Sequence, residues 1–457
     1  MSKHEKFNFT SYEQLEEKIK ELGVNINLSQ DLSPLAKPVK VGKKIAANSI
    51  STLPMEGCDS DPDGSPNEMV YRRYTRFSEG GYGLIWWEAN SIVPEGKANE
   101  LQMMLTKNNV EKFKDLVLTI KKAGHEKNGY EPLNILQLTQ SGRYSRPVGH
   151  KAAPLIPQHD PLLDPLVGLK GDEPVLTDEY LESLIPHYVE SAVLAKQAGY
   201  DGVDIKSCHR YLLSEILASH TRDGRFGGSF ENRTRLILTI IKEVRKAVGD
   251  DFIIASRFNV FDAHPYPYGF GEDKKDFWKF NPVEPMKLVK LMVESGIDLL
   301  SNSAGNPYYI YPQVTRPFDS SSMGIPVPDE HPLESIARLF EFTRQIQKAA
   351  GDIPVVGNGY SWLRQYLPYA GAANVADRSC SFMGLGRSSF AYPNAPREIL
   401  TTGKMDPNKC CISCSKCTQI MRDHGRTGCV VRDSALYAPL YLQYRKEADE
   451  RAKALKK

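Results

Sequence analysis

The chain contains no apolar run approaching the ~20 residues that cross a bilayer, so no membrane partner is expected. Its first residues, Met1-Ser2-Lys3-His4-Glu5-Lys6, lack the apolar core of a secretory leader, and the expected compartment is the cytoplasm. An excess of one charge is also missing. Lys and Arg number 58 against 56 Asp and Glu, a net charge of +2 that predicts no nucleic-acid partner. There is no tandem repeat and no low-complexity segment. No Gly-x-Gly-x-x-Gly follows a first strand, so a dinucleotide-binding domain is not supported. What remains is an ordinary globular composition, 41% hydrophobic and 25% charged. A length of 457 residues would suggest about three domains. Eight-stranded parallel barrels, however, commonly run longer as one unit.

Cysteine is scarce through most of the chain. Cys58, Cys208 and Cys380 are scattered, whereas Cys410, Cys411, Cys414, Cys417 and Cys429 crowd one region. In a cytosolic protein such a cluster points to a metal site rather than to disulfides. Cys411-x-x-Cys414-x-x-Cys417 followed by Cys429 offers four thiolates, with Cys410 as an alternative first ligand. The spacing fits [4Fe–4S] or structural zinc and does not choose between them.

Ser11-Tyr12-Glu13-Gln14 has the form of a capping box, and Leu15, Ile19 and Leu22 follow at helical spacing. Pro34 and Pro38 then mark a linker, so residues 1–40 read as a helical extension. Short apolar segments alternate with helical patterns after that. The candidate strands are Ile45–Ile50, Gly83–Ala89, Leu133–Leu138, Gly202–Ile205, Phe252–Phe258, Asp298–Ser303, Ile353–Gly357 and Cys380–Gly384. Thr177 is a plausible N-cap with Leu181, Leu184, Ile185 and Tyr188 on one face behind it. Periodicity alone does not separate a barrel from a doubly wound sheet. The count of eight strands, each followed by a helix or long loop, predicts an α/β fold, a (β/α)8 barrel over residues 41–403. Residues 404–457 then form a cysteine-rich segment with a charged, solvated helical tail from Arg445.

In such a barrel the chemistry sits in the loops after the strands. Strand four runs into Lys206-Ser207-Cys208-His209-Arg210-Tyr211, and then Gly227-Gly228-Ser229-Phe230-Glu231-Asn232-Arg233. His and Tyr alone would read as a surface loop; the second run changes that. Together they resemble the old yellow enzyme family of FMN-dependent ene-reductases. There a His-x-x-His/Asn-Gly-Tyr run and a Gly-Gly-Ser-x-Glu-Asn-Arg run follow the fourth strand.

Other strand ends carry the same resemblance. Gly83-Leu84-Ile85 with Glu88-Ala89 and Val93-Pro94-Glu95-Gly96-Lys97 is similar to the family segment against the flavin ring, which makes Ala89 a cofactor contact. Asn48-Ser49 closes the expected first strand and is assigned there too. Gln137-Leu138-Thr139-Gln140-Ser141-Gly142-Arg143 resembles the family's Gln-Leu-x-His-x-Gly-Arg, and Gln137 takes the flavin pyrimidine edge; Gln140 replaces the usual His. An amide suits that edge because it offers donor and acceptor together. Arg257 is a cation inside an apolar strand, costly unless paired. It reads as an internal ion pair or, by the resemblance, as the group beside flavin N1 and O2. Gly357-Asn358-Gly359 and Gly384-Leu385-Gly386-Arg387 end the last two strands, where barrels bind phosphate. Gly359, Gly386 and Arg387 would hold that of FMN.

The resemblance implies that Tyr211 protonates one alkene carbon while flavin N5 delivers hydride to the other. His209 would polarise the carbonyl, and Lys206 stands where many members have a second histidine. It also resolves the cysteines: the branch containing 2,4-dienoyl-CoA reductase places a [4Fe–4S] motif directly after the barrel, relaying electrons to FMN. Those relatives continue into a nucleotide-binding half. Here the sequence ends shortly after Tyr437, so NAD(P)H or a separate electron-donor protein is the expected source. The expected partners are a small unsaturated substrate, that donor, and further copies in a homo-oligomer. The aromatic loop Asn302 to Tyr311 reads equally as packing or as a flat face over the ring. A dehydrogenase acting on an amine or saturated substrate, and an electron-transfer subunit, are the alternatives.

Overall fold

The computed structural model describes residues 4–309 and 325–454 of the chain. Two short antiparallel strands, β1 (Val39–Val41) and β2 (Lys44–Ala46), come first. Eight parallel strands then close into a barrel: β3 (Ile50–Thr52), β4 (Leu84–Ser91), β5 (Leu133–Thr139), β6 (Gly202–Ile205), β7 (Ile253–Phe261), β8 (Leu299–Ala304), β9 (Val355–Gly357) and β10 (Phe382–Leu385). Helices follow the strands and cover the outside. The fold is the (β/α)8 barrel that the strand count predicts.

Two apolar layers hold it. Leu84, Trp86, Leu133, Ile135, Ile253, Ala255, Leu299, Val356 and Phe382 fill the barrel interior. Alternate residues such as Ile85, Trp87, Leu136 and Ile254 face outward onto the helices. Helix Asp178–Gln197 illustrates the match of pattern and packing: Thr177 caps it by accepting from Tyr180 N, and Leu181, Leu184 and Tyr188 are buried. Ser11 likewise caps Tyr12–Leu22, accepting from Gln14 N.

The first strand differs from expectation. Ile45 is 66% exposed and belongs to the β1–β2 hairpin, whose Val41 and Ala46 plug the lower end of the barrel. The barrel strand begins at Ile50. An apolar Ile-Ala-Ala run fits either hairpin or barrel, and only long-range pairing decides. Asn48 and Ser49 consequently lie before the strand, not after it.

The C-terminal tail is helical, and among its described residues none from Arg445 to Ala454 is buried. Helix Ser434–Ala454 packs back on the cysteine-rich segment, with Arg445 bonded to Asp423 at 2.9 Å and Arg451 Nη2 donating to the Asp423 carbonyl at 2.8 Å. Gly425 and Gly428 are needed there. A Cβ at either position would meet the ring of Tyr444 or Tyr437 at 2.2 or 2.1 Å. Among the described residues no helix is long and apolar enough to cross a membrane.

Candidate active site

The strand ends surround a cleft with about 1220 Å³ free of protein atoms, counting its open mouth. Gln137, Lys206, His209, Tyr211, Arg257, Gly359, Gly386 and Arg387 all line it. The structure therefore brings together eight of the expected residues from β5, β6, β7, β9 and β10. It does not bring Asn48, Ser49 or Ala89 there. Asn48 sits at the opposite end, accepting from Ile50 N and Gly83 N, and Ser49 donates to the Pro34 and Lys37 carbonyls. Ala89 is buried, with its carbonyl accepting from Gln102 Nε2.

Tyr211 is aimed by an uncommon backbone. His209 and Arg210 both adopt left-handed φ, 64° and 59°. Arg210 stands where the family run has glycine, so the turn must be held by contacts. Arg210 is fully buried and bonds Asp262 at 3.0 Å and Asp160 at 3.3 Å; His209 N donates to Asn259 Oδ1 at 3.0 Å. That network places the Tyr211 hydroxyl in the cleft. It donates to Glu56 Oε1 at 3.0 Å and lies 3.0 Å from the Tyr308 hydroxyl. Lys206 Nζ donates to the same Glu56 oxygen at 3.1 Å and stands 3.7 Å over the Tyr211 ring. Burial, then Glu56 and Tyr308, hold the Tyr211 phenol well above its ordinary pKa. It is a proton reservoir at neutral pH.

Glu56 was not legible as a site residue while the first strand was placed too early. With β3 ending at Thr52, it falls four residues past a strand end. The next residue, Gly57, is pinned through both its N–H and its carbonyl. Gly57 N donates to Glu88 Oε2 at 2.6 Å, and Thr427 N donates to the Gly57 carbonyl at 2.7 Å. Only glycine fits at 57, because a Cβ would meet Arg73 Nη1 at 2.0 Å. Arg73 in turn bonds Glu88 at 2.8 Å and the Thr427 carbonyl at 2.9 Å.

Asp204 was also missed, since it lies mid-strand in β6. Fully buried, it accepts from Gln137 Nε2 at 2.6 Å, Trp86 Nε1 at 2.8 Å and Arg257 N at 2.9 Å. Burial pushes its carboxyl up to about 6, against those hydrogen bonds. All three partners donate to it, which sets the Gln137 amide with the nitrogen inward and the oxygen toward the cleft. Arg257 is the one half-buried residue of an otherwise buried strand. Its Nη1 donates to the Pro54 carbonyl at 3.4 Å, while its buried Nε has no partner among the described residues. Among the described residues it forms no ion pair. An acceptor from a bound group is what this guanidinium lacks.

The aromatic loop expected after the sixth strand is present as far as it is described; Ile310 and Tyr311 lie outside the described residues. Tyr308 stacks on Tyr144, ring centroids 4.0 Å apart, and Tyr144 accepts from Asn306 at 2.8 Å. One side of the cleft is thus an aromatic wall.

The cysteine-rich segment forms part of the wall as well, with Arg422 bonded to the Pro307 carbonyl beside Tyr308. Cys417, Thr418, Met421, Arg422 and Thr427 line the cleft, and Arg387 Nη2 donates to Thr418 Oγ1 at 3.1 Å. Residues after 404 therefore contribute side chains to the cleft. All eight cysteines are free thiols. Cys417 and Cys429 lie near Cys411, and Cys417 and Cys414 near Cys429. Ser413 N and Arg432 N donate to the sulfurs of Cys411 and Cys429 at 3.4 and 3.3 Å. Cys410 instead donates to the Asp406 carbonyl at 3.4 Å. Among the described residues no three His, Cys, Asp or Glu side chains converge on one metal ion. A [4Fe–4S] cube takes one thiolate per iron, so its ligands stand farther apart than those of a single ion.

The cleft fits FMN on the observations above: the orphan Arg257 Nε, the oriented Gln137 amide, and glycines at its far end. Gly359 has φ 98°, open to few other residues.

Comparison with known proteins agrees. The chain is 27% identical over 380 residues to an NADH oxidase of Thermoanaerobacter brockii, covering 82% of this chain and 52% of that one. It is 25% identical over 417 residues to a cinnamate reductase of Clostridium sporogenes, covering 87% and 57%. The chain thus spans little more than half the length of these relatives. Among solved structures, a 2-naphthoyl-CoA reductase complex matches with a TM-score of 0.69 at 21% identity, over 88% of this chain and 57% of that one. An old yellow enzyme homologue from Zymomonas mobilis matches with 0.60 at 20%, over 82% and 94%. These two likenesses show the fold. The model of the NADH:flavin oxidoreductase / NADH oxidase family matches residues 34–284, more than half of the 457. The chain belongs to that family of FMN-dependent oxidoreductases.

Proposed function

We propose that the protein is an FMN-dependent ene-reductase that reduces the C=C bond of an α,β-unsaturated carbonyl compound. The observation that carries this reading is the Tyr211 hydroxyl. It stands in the strand-end cleft, bonded to Glu56 at 3.0 Å with the Lys206 ammonium 3.7 Å over its ring. FMN, when bound, supplies hydride.

The chain's own residues do the rest. The Gln137 oxygen accepts from an N–H of the pyrimidine edge, and Arg257 Nε donates to its oxygens. Gly359, Gly386 and Arg387 receive the phosphate. Tyr211 holds the proton at its hydroxyl and gives it to the substrate carbon, and the Lys206 charge over the ring stabilises the phenolate left behind. Glu56 keeps Lys206 in place. His209, at the mouth of the cleft, donates to the substrate carbonyl and polarises it. Tyr144 and Tyr308 exclude water from one side.

Cys411, Cys414, Cys417 and Cys429 hold a [4Fe–4S] cluster, which supplies one-electron transfer. The electrons come from NAD(P)H or a donor protein. The names of the Thermoanaerobacter and Clostridium relatives support the nicotinamide donor and the unsaturated substrate class.

An anaerobic absorption spectrum of the purified protein, followed by titration with NADH, NADPH and a panel of enones, tests this. Bleaching by a donor and recovery on adding an enone is the expected result. A colourless protein that binds no FMN on reconstitution refutes it.

A further inference from the structure

A second chamber, with about 850 Å³ free of protein atoms, lies beside the flavin cleft. Glu56, Tyr308, Met421 and Arg422 line both spaces. The carboxylate and phenol that hold Tyr211 are therefore the partition between them. The chamber continues past Tyr144 to Arg146 and His424, with Leu166 and Val167 as apolar wall.

Its charge is one-sided. Arg146 and Arg422 are both half-buried. Arg146 Nη1 donates to the His150 carbonyl at 2.8 Å, and Arg422 Nη2 donates to the Pro307 carbonyl. Neither forms an ion pair with a carboxylate among the described residues. Among the described residues the single carboxylate lining the chamber, Glu56, already accepts from Lys206 and Tyr211. Burial lowers the pKa of both guanidinium groups, and Arg387 lowers that of Arg422 further. Burial also holds His424 down to about 4, and Arg146 and the neighbouring His150, 4.8 Å away ring to ring, act in the same direction. Two half-buried guanidinium forks with only carbonyl partners are expensive to keep, unless an anion completes them. Carboxylate and phosphate match the fork's geometry.

We propose that this chamber anchors an anionic oxygen group, a carboxylate or phosphate, carried by the substrate at a distance from its C=C bond and bound by Arg146 and Arg422. The apolar wall of Leu166 and Val167 accepts the aliphatic or aromatic spacer. The position of the reacting bond rests on the ene-reductase reading; the anion site does not.

The test uses the FMN-loaded protein and a chain-length series of enones ending in a carboxylate, a phosphate monoester or a neutral methyl ester. Binding is read as the shift of flavin absorption without donor, and turnover separately with donor. At the best length the acid binds at least about tenfold tighter than its ester, the worth of one charge-assisted contact. Arg146→Gln and Arg422→Gln each bring the acid-to-ester ratio to within about threefold, and Arg146→Lys keeps part of the preference. A stronger preference for the phosphate arm assigns the anion to a phosphorylated tail, and for the carboxylate arm to an acid. Equal binding of acid, phosphate and ester at every length overturns the proposal even if the enones are reduced. If no enone is reduced but the anion preference and its loss in Arg146→Gln persist, the ene-reductase reading falls and the anion site stands.

Discussion

Replacing Tyr211 by Phe removes one oxygen and leaves the ring where it is. The side chain is 1% exposed, and the Lys206 ammonium stays 3.7 Å above it. Two hydrogen bonds are lost, to Glu56 and to Tyr308, each 3.0 Å. Glu56 keeps its bond from Lys206 at 3.1 Å, so no carboxylate is stranded. The stability cost should therefore lie near the low end for a hydrogen bond to a charged group, about 1.5 kcal/mol. The kinetic cost is different in kind. A positioned general acid contributes roughly 10²–10⁴ in rate, about 3–5 kcal/mol of barrier. Rapid mixing under anaerobic conditions separates the two half-reactions. Reduction of bound FMN by the donor should change by less than about twofold, because it needs no proton from Tyr211. Reoxidation by an enone should slow by about 10²–10⁴-fold and lose its solvent isotope effect. Equal rates of reoxidation in variant and parent would remove Tyr211 from proton transfer and with it the role assigned to the strand-four loop.

Glu56→Gln should lower the Tyr211 pKa: after burial, the Glu56 charge is the largest cause holding that phenol up, and removing a negative neighbour favours the phenolate. The alkaline limb of the reoxidation rate should then move to lower pH than in the parent, while burial and Tyr308 still hold the phenol above its ordinary value. A pH profile identical to the parent's speaks against the contact. Arg257→Gln should weaken FMN binding by about 10–100-fold, the worth of a charge-assisted hydrogen bond, measured by the fluorescence of released flavin. Unchanged affinity would place the guanidinium outside the flavin contacts. Metal analysis of anaerobically purified protein should find iron and acid-labile sulfide, both lost in Cys417→Ser. Zinc near one per chain, with neither iron nor sulfide, would replace the cluster with a structural ion.

Reading the strands in order located most of the cleft. Lys206, His209, Tyr211, Gly359, Gly386 and Arg387 could be picked out because each follows a strand end, and strand ends are marked locally by a change from apolar to polar or glycine residues; Gln137 and Arg257 stood out as polar side chains within apolar strands and by the family resemblance. The same logic misplaced Asn48 and Ser49. Ile45-Ala46-Ala47 looks like a barrel strand, but pairing with Val39–Val41 makes it a hairpin instead. That one shift concealed Glu56, the partner of both Lys206 and Tyr211.

Local alternation of apolar and polar residues and the spacing of motifs, taken with the strand count and the family resemblance, were enough to predict the eight-stranded barrel, most of the polar strand ends and the cysteine cluster, since each of these is written within a few neighbouring residues. Long-range packing decided the rest. Thr427 meeting Gly57, Arg73 reaching Glu88 and the Thr427 carbonyl, and Arg445 returning to Asp423 join segments hundreds or tens of residues apart. These contacts turn the cysteine segment into a wall of the cleft. They also set Glu56 against Tyr211 and leave Arg146 and Arg422 facing one chamber. Nothing in the spacing of such residues announces those meetings, because the distance between them along the chain is unrelated to their distance across the barrel mouth.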